Sequence, residues 1–311
     1  MKLVFCCTDT RPEPWLHGLR AALPEAEVTL WHESAGGPPS PADYAVVWAP
    51  PQAFIDAHPG VRALFNIGAG VDALLRLRLP DGLPIVRLDD AGMAAQMAEY
   101  VCHAVIRHFR ELDRYQQAQT AGVWTVRKPR RREDFTIGVM GLGVLGTRVA
   151  QALRGFDFPV VGWSRSPKAL DGVQTFHGRG DGFHAFLAAS QVLVNLLPLT
   201  PETRDILNRD TLGRLRPGGY VINVARGAHL VEEDLLALLD RGQLAGATLD
   251  VFRTEPLPAA HPFWTHPAIT VTPHISARTL RDESIAQIAR KVRALERGER
   301  IAGVVDRALG Y

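Results

Sequence analysis

Short apolar runs alternate with helically spaced apolar positions along the chain, and this alternation predicts an α/β protein. In the first segment, strands are predicted at Leu3–Cys7, Val28–Trp31, Tyr44–Trp48, Ala63–Ile67 and Ile85–Leu88. Helices are predicted between them at Trp15–Leu23 and Val71–Leu77. Strands that alternate with helices indicate a parallel sheet with helices on both faces.

The same alternation returns in a second segment. The strands predicted there are Phe135–Met140, Val160–Trp163, Val192–Leu196, Tyr220–Val224, Ala247–Val251 and Ile269–Thr272. A helix is predicted at Glu232–Asp240, with acidic residues in its first turn and Gly242 after its end. One long helix over Met93–Gln119 joins the two segments, and an amphipathic helix over Leu280–Arg297 is expected to pack back on the first domain. We therefore expect two doubly wound parallel-sheet domains, formed by residues 1–96 plus 276–311 and by residues 97–275.

A glycine-rich turn follows the first strand of the second segment. Gly141, Gly143 and Gly146 fit G-x-G-x-x-G, and helically spaced apolar residues, Val144 and Leu145 first, come after it. In such a turn the glycines allow a tight bend, a close approach to a pyrophosphate and close helix–strand packing. The helix N-terminus offers N–H groups and a partial positive charge to the phosphates. The position of this turn, between a strand and a helix, predicts a dinucleotide site.

The turn after the next strand indicates which dinucleotide binds. An NAD site usually has an acidic residue there for the ribose 2′-hydroxyl. This chain has Ser164, Arg165, Ser166 and Lys168 instead, which are cations and hydroxyl donors suited to a 2′-phosphate. These residues favour NADP(H), although Arg165 and Lys168 are also explained as exposed loop charges.

Three later strands each end near a residue with useful chemistry. Arg226 follows the strand in YVINVARG, Asp250 and Glu255 lie in TLDVFRTEP, and His274 follows the strand in TVTPHIS. Ligands of open α/β sheets bind outside the carboxyl ends of the strands. The three segments together therefore predict a site that combines an acid with electrostatic stabilisation.

The ordered motifs GLGVLG, NVARG, LDVFRTEP and TPHIS resemble those of the D-isomer-specific 2-hydroxyacid dehydrogenases over nearly the whole chain. Within that family the chain looks most like the glyoxylate/hydroxypyruvate reductase A branch. The segments that support this branch are AVVWAPP, NIGAGVD, QMAEYV, WSRS, LLPLTPET and the ending VDRALGY. The resemblance implies a Rossmann cofactor domain inserted in a flavodoxin-like substrate domain.

The resemblance also implies roles for individual residues. Arg226 would hold the substrate carbonyl and carboxylate, and Glu255 would pair with His274, which would act as the general acid. Asp250 would lie near the nicotinamide carboxamide, and the loop Gly68-Ala69-Gly70 would bind the substrate carboxylate. A plain strand-to-helix turn also explains that loop, and Trp48 is either a wall of the substrate pocket or a core residue. The cofactor-binding residues expected are Gly141, Gly143, Val144, Leu145, Gly146, Ser164, Arg165, Ser166, Lys168, Leu197, Pro198, Thr203, Val224, Ala225 and Asp250.

Composition narrows the function classes further. The net charge of +2 gives no electrostatic reason to expect nucleic acid or an acidic membrane as a partner. The basic run at 127–132 is either an anion or nucleic-acid patch or a solvated connector. Three cysteines without metal-ligand spacing indicate reduced thiols in a cytoplasmic protein without a metal site.

The function expected is NADPH-dependent reduction of small 2-oxo acids: glyoxylate to glycolate and hydroxypyruvate to D-glycerate. The resemblance also suggests a homodimer. Two alternatives stay open, a reductase of bulkier 2-oxo acids and a dinucleotide-sensing module that binds other proteins.

Overall fold

The computed structural model describes residues 1–8, 11–32 and 41–311. The chain divides into two compact units. Unit 1 consists of residues 1–92 and 279–311, and unit 2 consists of residues 93–278.

The described residues of unit 1 form a five-stranded sheet in the order β2-β1-β3-β4-β5, and every pairing in it is parallel. This order is that of the flavodoxin-like doubly wound fold. The strands are β1 (Lys2–Cys7), β2 (Glu27–Leu30), β3 (Tyr44–Trp48), β4 (Ala63–Asn66) and β5 (Ile85–Val86). The central strands β3 and β4 are buried along most of their length, as expected when helices cover both faces of a sheet.

Three helices accompany this sheet in the described part of unit 1: α1 (Pro12–Ala22), α2 (Gln52–Ala57) and the chain-terminal helix (Arg281–Glu296). The chain-terminal helix packs on α1, and Gly18 is the contact point because a Cβ there would lie 2.5 Å from Cδ1 of Ile285. Arg293 binds Glu25 across the same contact, with 2.7 Å between Nε and Oε1. The amphipathic helix near the end of the sequence therefore belongs to unit 1.

Unit 2 contains a seven-stranded parallel sheet in the order β12-β11-β10-β9-β6-β7-β8. Counted from β6, the first six strands have the Rossmann order 3-2-1-4-5-6. The strands are β6 (Ile137–Met140), β7 (Val160–Ser164), β8 (Gln174–His177), β9 (Val192–Asn195), β10 (Gly219–Asn223), β11 (Leu244–Leu249) and β12 (Ile269–Val271).

Helices cover both faces of this sheet. The helices of unit 2 are α3 (Met93–Phe109), α4 (Leu112–Thr120), which buries no residue, α5 (Val144–Gly155), α6 (Asp181–Ala189), α7 (Arg209–Leu212) and α8 (Glu232–Asp240). The helix Arg281–Glu296 of unit 1 is α9. Alternate residues of one strand enter different cores. Val192 and Val194 pack with α3 and α5, whereas Leu193 packs with α6 and α8. The predicted fold class, two parallel-sheet α/β domains, is confirmed.

Two predicted helices were wrong. The helix expected over Met93–Gln119 is interrupted, because Glu111 has a left-handed backbone with φ of 53°. The amphipathic stripe ends at buried Phe109, and Leu112, which was expected to continue it, is 44% exposed. The helix expected at Val71–Leu77 is only a 3-10 turn at Leu74–Arg76.

The pattern also missed several elements: α2, β8, α6 and α7. The β8 sequence QTFH forms an edge strand with partly exposed residues, so it lacks the apolar run that marks a buried strand. Elements with a strong apolar pattern, such as β3 and α8, have the predicted bounds.

Candidate active site and dinucleotide site

Strands β10, β11 and β12 lie side by side in the sheet of unit 2 and end at the same edge. Arg226 follows β10, Glu255 follows β11 and His274 follows β12. Because parallel neighbours carry these residues just past their carboxyl ends, all three lie at the edge where ligands of such sheets bind.

His274 and Glu255 form a direct pair. Nδ1 of His274 lies 2.8 Å from Oε2 of Glu255, and Oε1 of Glu255 accepts the N–H of Phe252 at 2.9 Å. The side chains are 45% and 36% exposed, so the pair faces solvent and a ligand can reach it. His274 has a left-handed backbone with φ of 55°, an arrangement that residues other than glycine rarely adopt and that the surrounding hydrogen bonds must hold.

The carboxyl of Glu255 is held in its ionised form. Partial burial on its own raises the pKa of Glu255, but the hydrogen bonds from His274 and from the Phe252 N–H lower it more, and the charge of Arg226 adds to the lowering. The net pKa is below the ordinary value for Glu. A carboxylate that stays ionised beside an imidazole favours the imidazolium form and fixes which ring nitrogen faces a ligand.

Arg226 is held close to this pair by a glycine. A Cβ on Gly227 would lie 1.8 Å from the carbonyl carbon of Phe252, so only glycine lets the two loops approach this closely. The half-buried Arg226 donates from Nη1 to the carbonyl of Ala225 at 2.8 Å. The loop of Arg226 therefore lies directly against the segment that binds Glu255.

Asp250 is fully buried and holds the backbone around His274. Its Oδ1 accepts the N–H of Ile275 and its Oδ2 accepts the N–H of Ser276, both at 2.8 Å. Its carbonyl accepts the N–H of His274 at 2.9 Å. Asp250 thus binds three successive amides of the loop that carries the imidazole.

Tyr100 of α3 extends this arrangement. Thr272 donates from Oγ1 to Oδ1 of Asp250 at 2.6 Å, so its hydroxyl accepts from Tyr100, whose Oη lies 2.5 Å away. Burial raises the pKa of Tyr100 to about 12, which keeps the phenol protonated as the donor.

The glycine-rich turn has the geometry that a pyrophosphate site requires. Gly141 has φ of 105°, and a Cβ there would lie 2.9 Å from the Leu196 carbonyl. A Cβ on Gly146 would lie 1.8 Å from the carbonyl oxygen of Gly141, which explains the close packing of α5. A Cβ on Gly143, in contrast, would have nothing within 4 Å. Gly143 therefore faces open space at the start of α5, where no side chain caps the helix, and this opening fits a phosphate.

The predicted 2′-phosphate turn lies at the end of β7. Ser164 is buried and donates to the carbonyl of Ser166 at 2.8 Å, while Arg165 and Lys168 are exposed. The ammonium of Lys168 donates to the carbonyl of Leu142, which places this charge beside the glycine-rich turn. The residues present therefore fit a phosphorylated ribose next to a pyrophosphate.

The predicted residues after β9 and β10 form ordered turns. Thr203 donates to the carbonyl of Pro198 at 2.7 Å, and Leu197, Val224 and Ala225 are buried.

The charge of Arg165 reaches the turn after β9. The pKa of Glu202 is lowered, chiefly by the hydroxyl of Thr200 and also by the charges of Arg179 and Arg165. Arg165 thus lies in the electrostatic surroundings of the turn that contains Pro198 and Thr203.

In unit 1, the predicted loop Gly68-Ala69-Gly70 follows β4. Asn66, which sequence reasoning left without a role, donates from its side-chain nitrogen to the carbonyls of Gly68 at 3.0 Å and Gly70 at 2.9 Å. The indole of Trp48 packs on this loop, since a Cβ on Gly68 would lie 2.4 Å from its Cζ3. A buried Asn two residues before a glycine loop is the sequence signal that was available.

Two further features of the sequence have structural explanations. Gln96 binds the backbone of Arg278 through both amide atoms, donating to its carbonyl at 2.8 Å and accepting its N–H at 3.2 Å. In the basic run, Arg127 pairs with Glu111 at 2.8 Å and Arg130 donates to the carbonyl of His108 at 3.1 Å. These contacts favour the connector interpretation over an anion patch.

Over 1–8, 11–32 and 41–311, no cluster of three or more His, Cys, Asp or Glu side chains is arranged to hold a metal ion. Within the same ranges, no helix combines the length and apolarity needed to cross a membrane.

Comparison with known proteins connects this geometry to a family. The sequence model of the D-isomer specific 2-hydroxyacid dehydrogenase NAD-binding domain matches residues 102–276. A glyoxylate/hydroxypyruvate reductase A of Serratia proteamaculans (strain 568) is 51% identical over 317 aligned positions, which cover 100% of both chains.

Solved structures give the same result. A D-isomer specific 2-hydroxyacid dehydrogenase from Xanthobacter autotrophicus Py2, in complex with NADPH and MES, superposes with a TM-score of 0.94 at 41% identity, covering 100% of this chain and 99% of that one. An NADPH-dependent glyoxylate/hydroxypyruvate reductase from Sinorhizobium meliloti, in complex with NADP and sulfate, superposes with a TM-score of 0.94 at 35% identity and covers 100% of both chains.

Proposed function

Because this chain belongs to the D-isomer specific 2-hydroxyacid dehydrogenase family, we propose that it reduces small 2-oxo acids with NADPH. The substrates proposed are glyoxylate, which would give glycolate, and hydroxypyruvate, which would give D-glycerate. The names of the relatives support this choice, and the family resemblance expected from the motifs is confirmed.

The observation that carries the proposal is the pair of His274 and Glu255 beside Arg226. Since Nδ1 of His274 is bound to Glu255, Nε2 is the nitrogen that gives its proton to the carbonyl oxygen of the substrate. Ionised Glu255 stabilises the imidazolium before the transfer. The proton moves from Nε2 to the oxygen that becomes the hydroxyl of the product.

Arg226 has a different part in the same step. Its guanidinium binds the carbonyl oxygen and the carboxylate of the 2-oxo acid, and it stabilises the negative charge that grows on that oxygen before the proton arrives. An arginine suits this part because its planar donors can bind two oxygens at once and its charge does not titrate.

The residues of the nucleotide site would hold NADPH. Gly141, Gly143 and Gly146, with the first amides of α5, would bind the pyrophosphate, and Ser164, Arg165, Ser166 and Lys168 would bind the 2′-phosphate. When bound, the cofactor supplies the hydride. Val144, Leu145, Leu197, Pro198, Thr203, Val224, Ala225 and Asp250 complete the proposed cofactor contacts.

We assign substrate binding in unit 1 to Trp48, Gly68, Ala69 and Gly70. Asn66 binds the carbonyls of Gly68 and Gly70. This holds the N–H groups of the loop in a fixed arrangement that suits an anion. The functional division proposed is substrate binding by residues 1–96 plus 276–311 and cofactor binding by residues 97–275.

We further propose that the protein is a cytoplasmic homodimer. Trp124 is 98% exposed and lies with exposed Val126 in a segment that is neither helix nor strand, so these apolar side chains are available to a second copy of the chain. Cys102 is a buried thiol that forms no disulfide, which suits a reducing compartment. Sedimentation of the wild type and of Trp124→Ser tests the dimer, and a wild type that sediments as a monomer contradicts it.

A spectrophotometric panel of 2-oxo acids with NADPH and with NADH tests the activity. We expect turnover of glyoxylate and hydroxypyruvate, with NADPH preferred. His274→Ala should reduce turnover by about a hundredfold or more, since general acid catalysis is removed, while NADPH still binds. Absence of turnover on every 2-oxo acid contradicts the proposed function, and faster turnover on bulky 2-oxo acids contradicts the proposed substrate size.

A further inference from the structure

Three buried polar side chains lie beneath the loops of the proposed active site. Asn195 ends β9, Asn223 ends β10, and His229 lies in the 3-10 turn that follows Arg226. All three are 0% exposed. Asn195 and Asn223 are direct partners in the register of the sheet.

Their hydrogen bonds form one connected network. The side-chain nitrogen of Asn195 donates to Oδ1 of Asn223 at 3.0 Å and to Nδ1 of His229 at 2.9 Å. Nε2 of His229 lies 3.2 Å from the carbonyl oxygen of Pro198. Buried amides and imidazoles require such partners because they have left water.

The backbone fixes the direction of every bond in the network. The N–H of Leu197 can only meet an oxygen, so it identifies Oδ1 of Asn195, at 3.2 Å. Both hydrogens of the Asn195 amide therefore point to Asn223 and His229. Nδ1 of His229 must accept, and its proton is on Nε2, where it is donated to Pro198.

Asn223 has the same geometry one strand further along the sheet. Its Oδ1 accepts the N–H of Ala225 at 3.3 Å, and its side-chain nitrogen donates to the carbonyl of Arg226 at 3.0 Å. One asparagine thus orders the turn that carries Pro198, and the other orders the turn that carries Arg226.

We propose that Asn195, Asn223 and His229 are positioning residues. Through one shared network they fix the position of the Arg226 backbone and that of the Leu197–Pro198 turn. This inference rests on the proposed function, because it gives Arg226 the substrate and Pro198 the cofactor. Within the network, Asn223 acts on the substrate side and His229 on the cofactor side, and Asn195 joins the two.

Asn223 should affect substrate binding and His229 should affect cofactor binding. A purely structural role would not separate the two ligands in this way. Asn223→Asp replaces the donor to the Arg226 carbonyl by an oxygen, so two oxygens face each other and Arg226 must shift. We expect the KM for glyoxylate to rise about tenfold or more, with a smaller change in the Kd for NADPH.

His229→Leu should affect the cofactor more than the substrate, because it removes the donor to the carbonyl of Pro198. We expect the Kd for NADPH, measured by its fluorescence, to rise about tenfold. His229→Gln, whose amide nitrogen can reach the position of Nε2, should restore part of the lost affinity.

Tyr220→Phe is the matched control. It removes a buried hydroxyl that binds Thr248 at 2.7 Å, on the same strand as Asn223 but at its other end. It should lower the thermal midpoint and leave the KM and the Kd unchanged. If Asn223→Asp does not fold, Asn223→Ser replaces it under the same criteria.

The proposal is overturned if the network variants lower the thermal midpoint as Tyr220→Phe does while KM and Kd stay within about twofold of the wild type. It is also overturned if both variants weaken both ligands equally. The NADPH measurement requires no turnover, so a wild type that reduces no 2-oxo acid contradicts the proposed function while the His229 result still tests the network.

Discussion

Nδ1 of His274 lies 2.8 Å from Oε2 of Glu255, and the other oxygen of that carboxylate is bound to a backbone amide. The carboxylate is therefore fixed at both oxygens, and it holds the imidazole in one orientation although both side chains are partly exposed. The geometry of the pair therefore depends on the loop after β11, whose Phe252 N–H binds the carboxylate, as well as on the imidazole.

Replacement of Glu255 by Gln should separate orientation from charge. Gln keeps an oxygen that can accept from Nδ1 but loses the negative charge that favours the imidazolium. We expect kcat for reduction to fall by about tenfold to a hundredfold, because the proton donor loses its charged partner. Steady-state reduction of glyoxylate gives the measurement; a kcat within about twofold of the wild type contradicts the role of the charge.

Two glycines of the nucleotide turn should respond oppositely to a methyl group. Gly143→Ala places its Cβ in open space, so the thermal midpoint should stay near that of the wild type while the Kd for NADPH rises about tenfold or more. Gly146→Ala forces its Cβ against the carbonyl of Gly141, so it should lower the free energy of unfolding by about 2 kcal/mol or more. Thermal denaturation without cofactor, followed by NADPH titration, separates the two effects. An unchanged Kd for NADPH in Gly143→Ala would show that the cofactor does not approach at the opening beside Gly143.

Arg165→Asp should reduce the preference for NADPH. The exposed arginine lies at the end of β7, where a 2′-phosphate is expected, and an aspartate there repels the phosphate and can accept from a 2′-hydroxyl. We expect the ratio of kcat/KM values for NADPH and NADH to fall by about tenfold to a hundredfold. Arg241→Asp, an equal charge change at an exposed position after α8, is the control and should leave the ratio unaltered. An unchanged ratio in Arg165→Asp contradicts the assignment.

His108 should make the stability of the protein depend on pH. Burial, with a contribution from the charge of Arg130, lowers the pKa of His108 from 6.5 to about 3. Between these two pKa values the unfolded chain binds a proton that the folded chain does not. The contribution of neutral His108 to the free energy of unfolding is therefore fully present above about pH 6.5 and is lost as the pH falls towards 3. The slope for one group is at most about 1.4 kcal/mol per pH unit.

Urea unfolding of the wild type and of His108→Phe across this range measures the effect. Phenylalanine can keep the stacking on Tyr220, whose ring centroid lies 4.0 Å from the imidazole, but it does not titrate. The wild type should lose stability on acidification more steeply than the variant. Parallel curves would show that His108 does not contribute to acid sensitivity.

From the sequence, the residues that follow each strand were predicted better than the lengths of the helices. Arg226, Glu255 and His274 were placed correctly past three strands because each strand is a buried apolar run and each motif follows directly. The break at Glu111 was not predictable from periodicity, since Leu112 continues the apolar spacing of the helix and yet is 44% exposed in the structure.

The residues that support the site were harder to find than the residues expected to react. Asn195 and Asn223 look like ordinary strand-end polar residues, and their partnership appears only when β9 and β10 pair in register. Asn66 is recognisable as a turn residue, but the two carbonyls it binds are set by the folded loop. Contacts of this kind join segments distant in sequence, and one chain without its fold does not display them.

The close contact at Gly227 separates the path of the backbone from the choice of the side chain that faces the ligand. The path of the backbone is dictated at position 227, where any side chain would push the neighbouring segment away, whereas position 226 presents its side chain without determining that path. Libraries that vary residue 226 can therefore explore other substrate charges on an unchanged backbone, although each variant that removes the guanidinium also removes its part in lowering the pKa of the neighbouring Glu255.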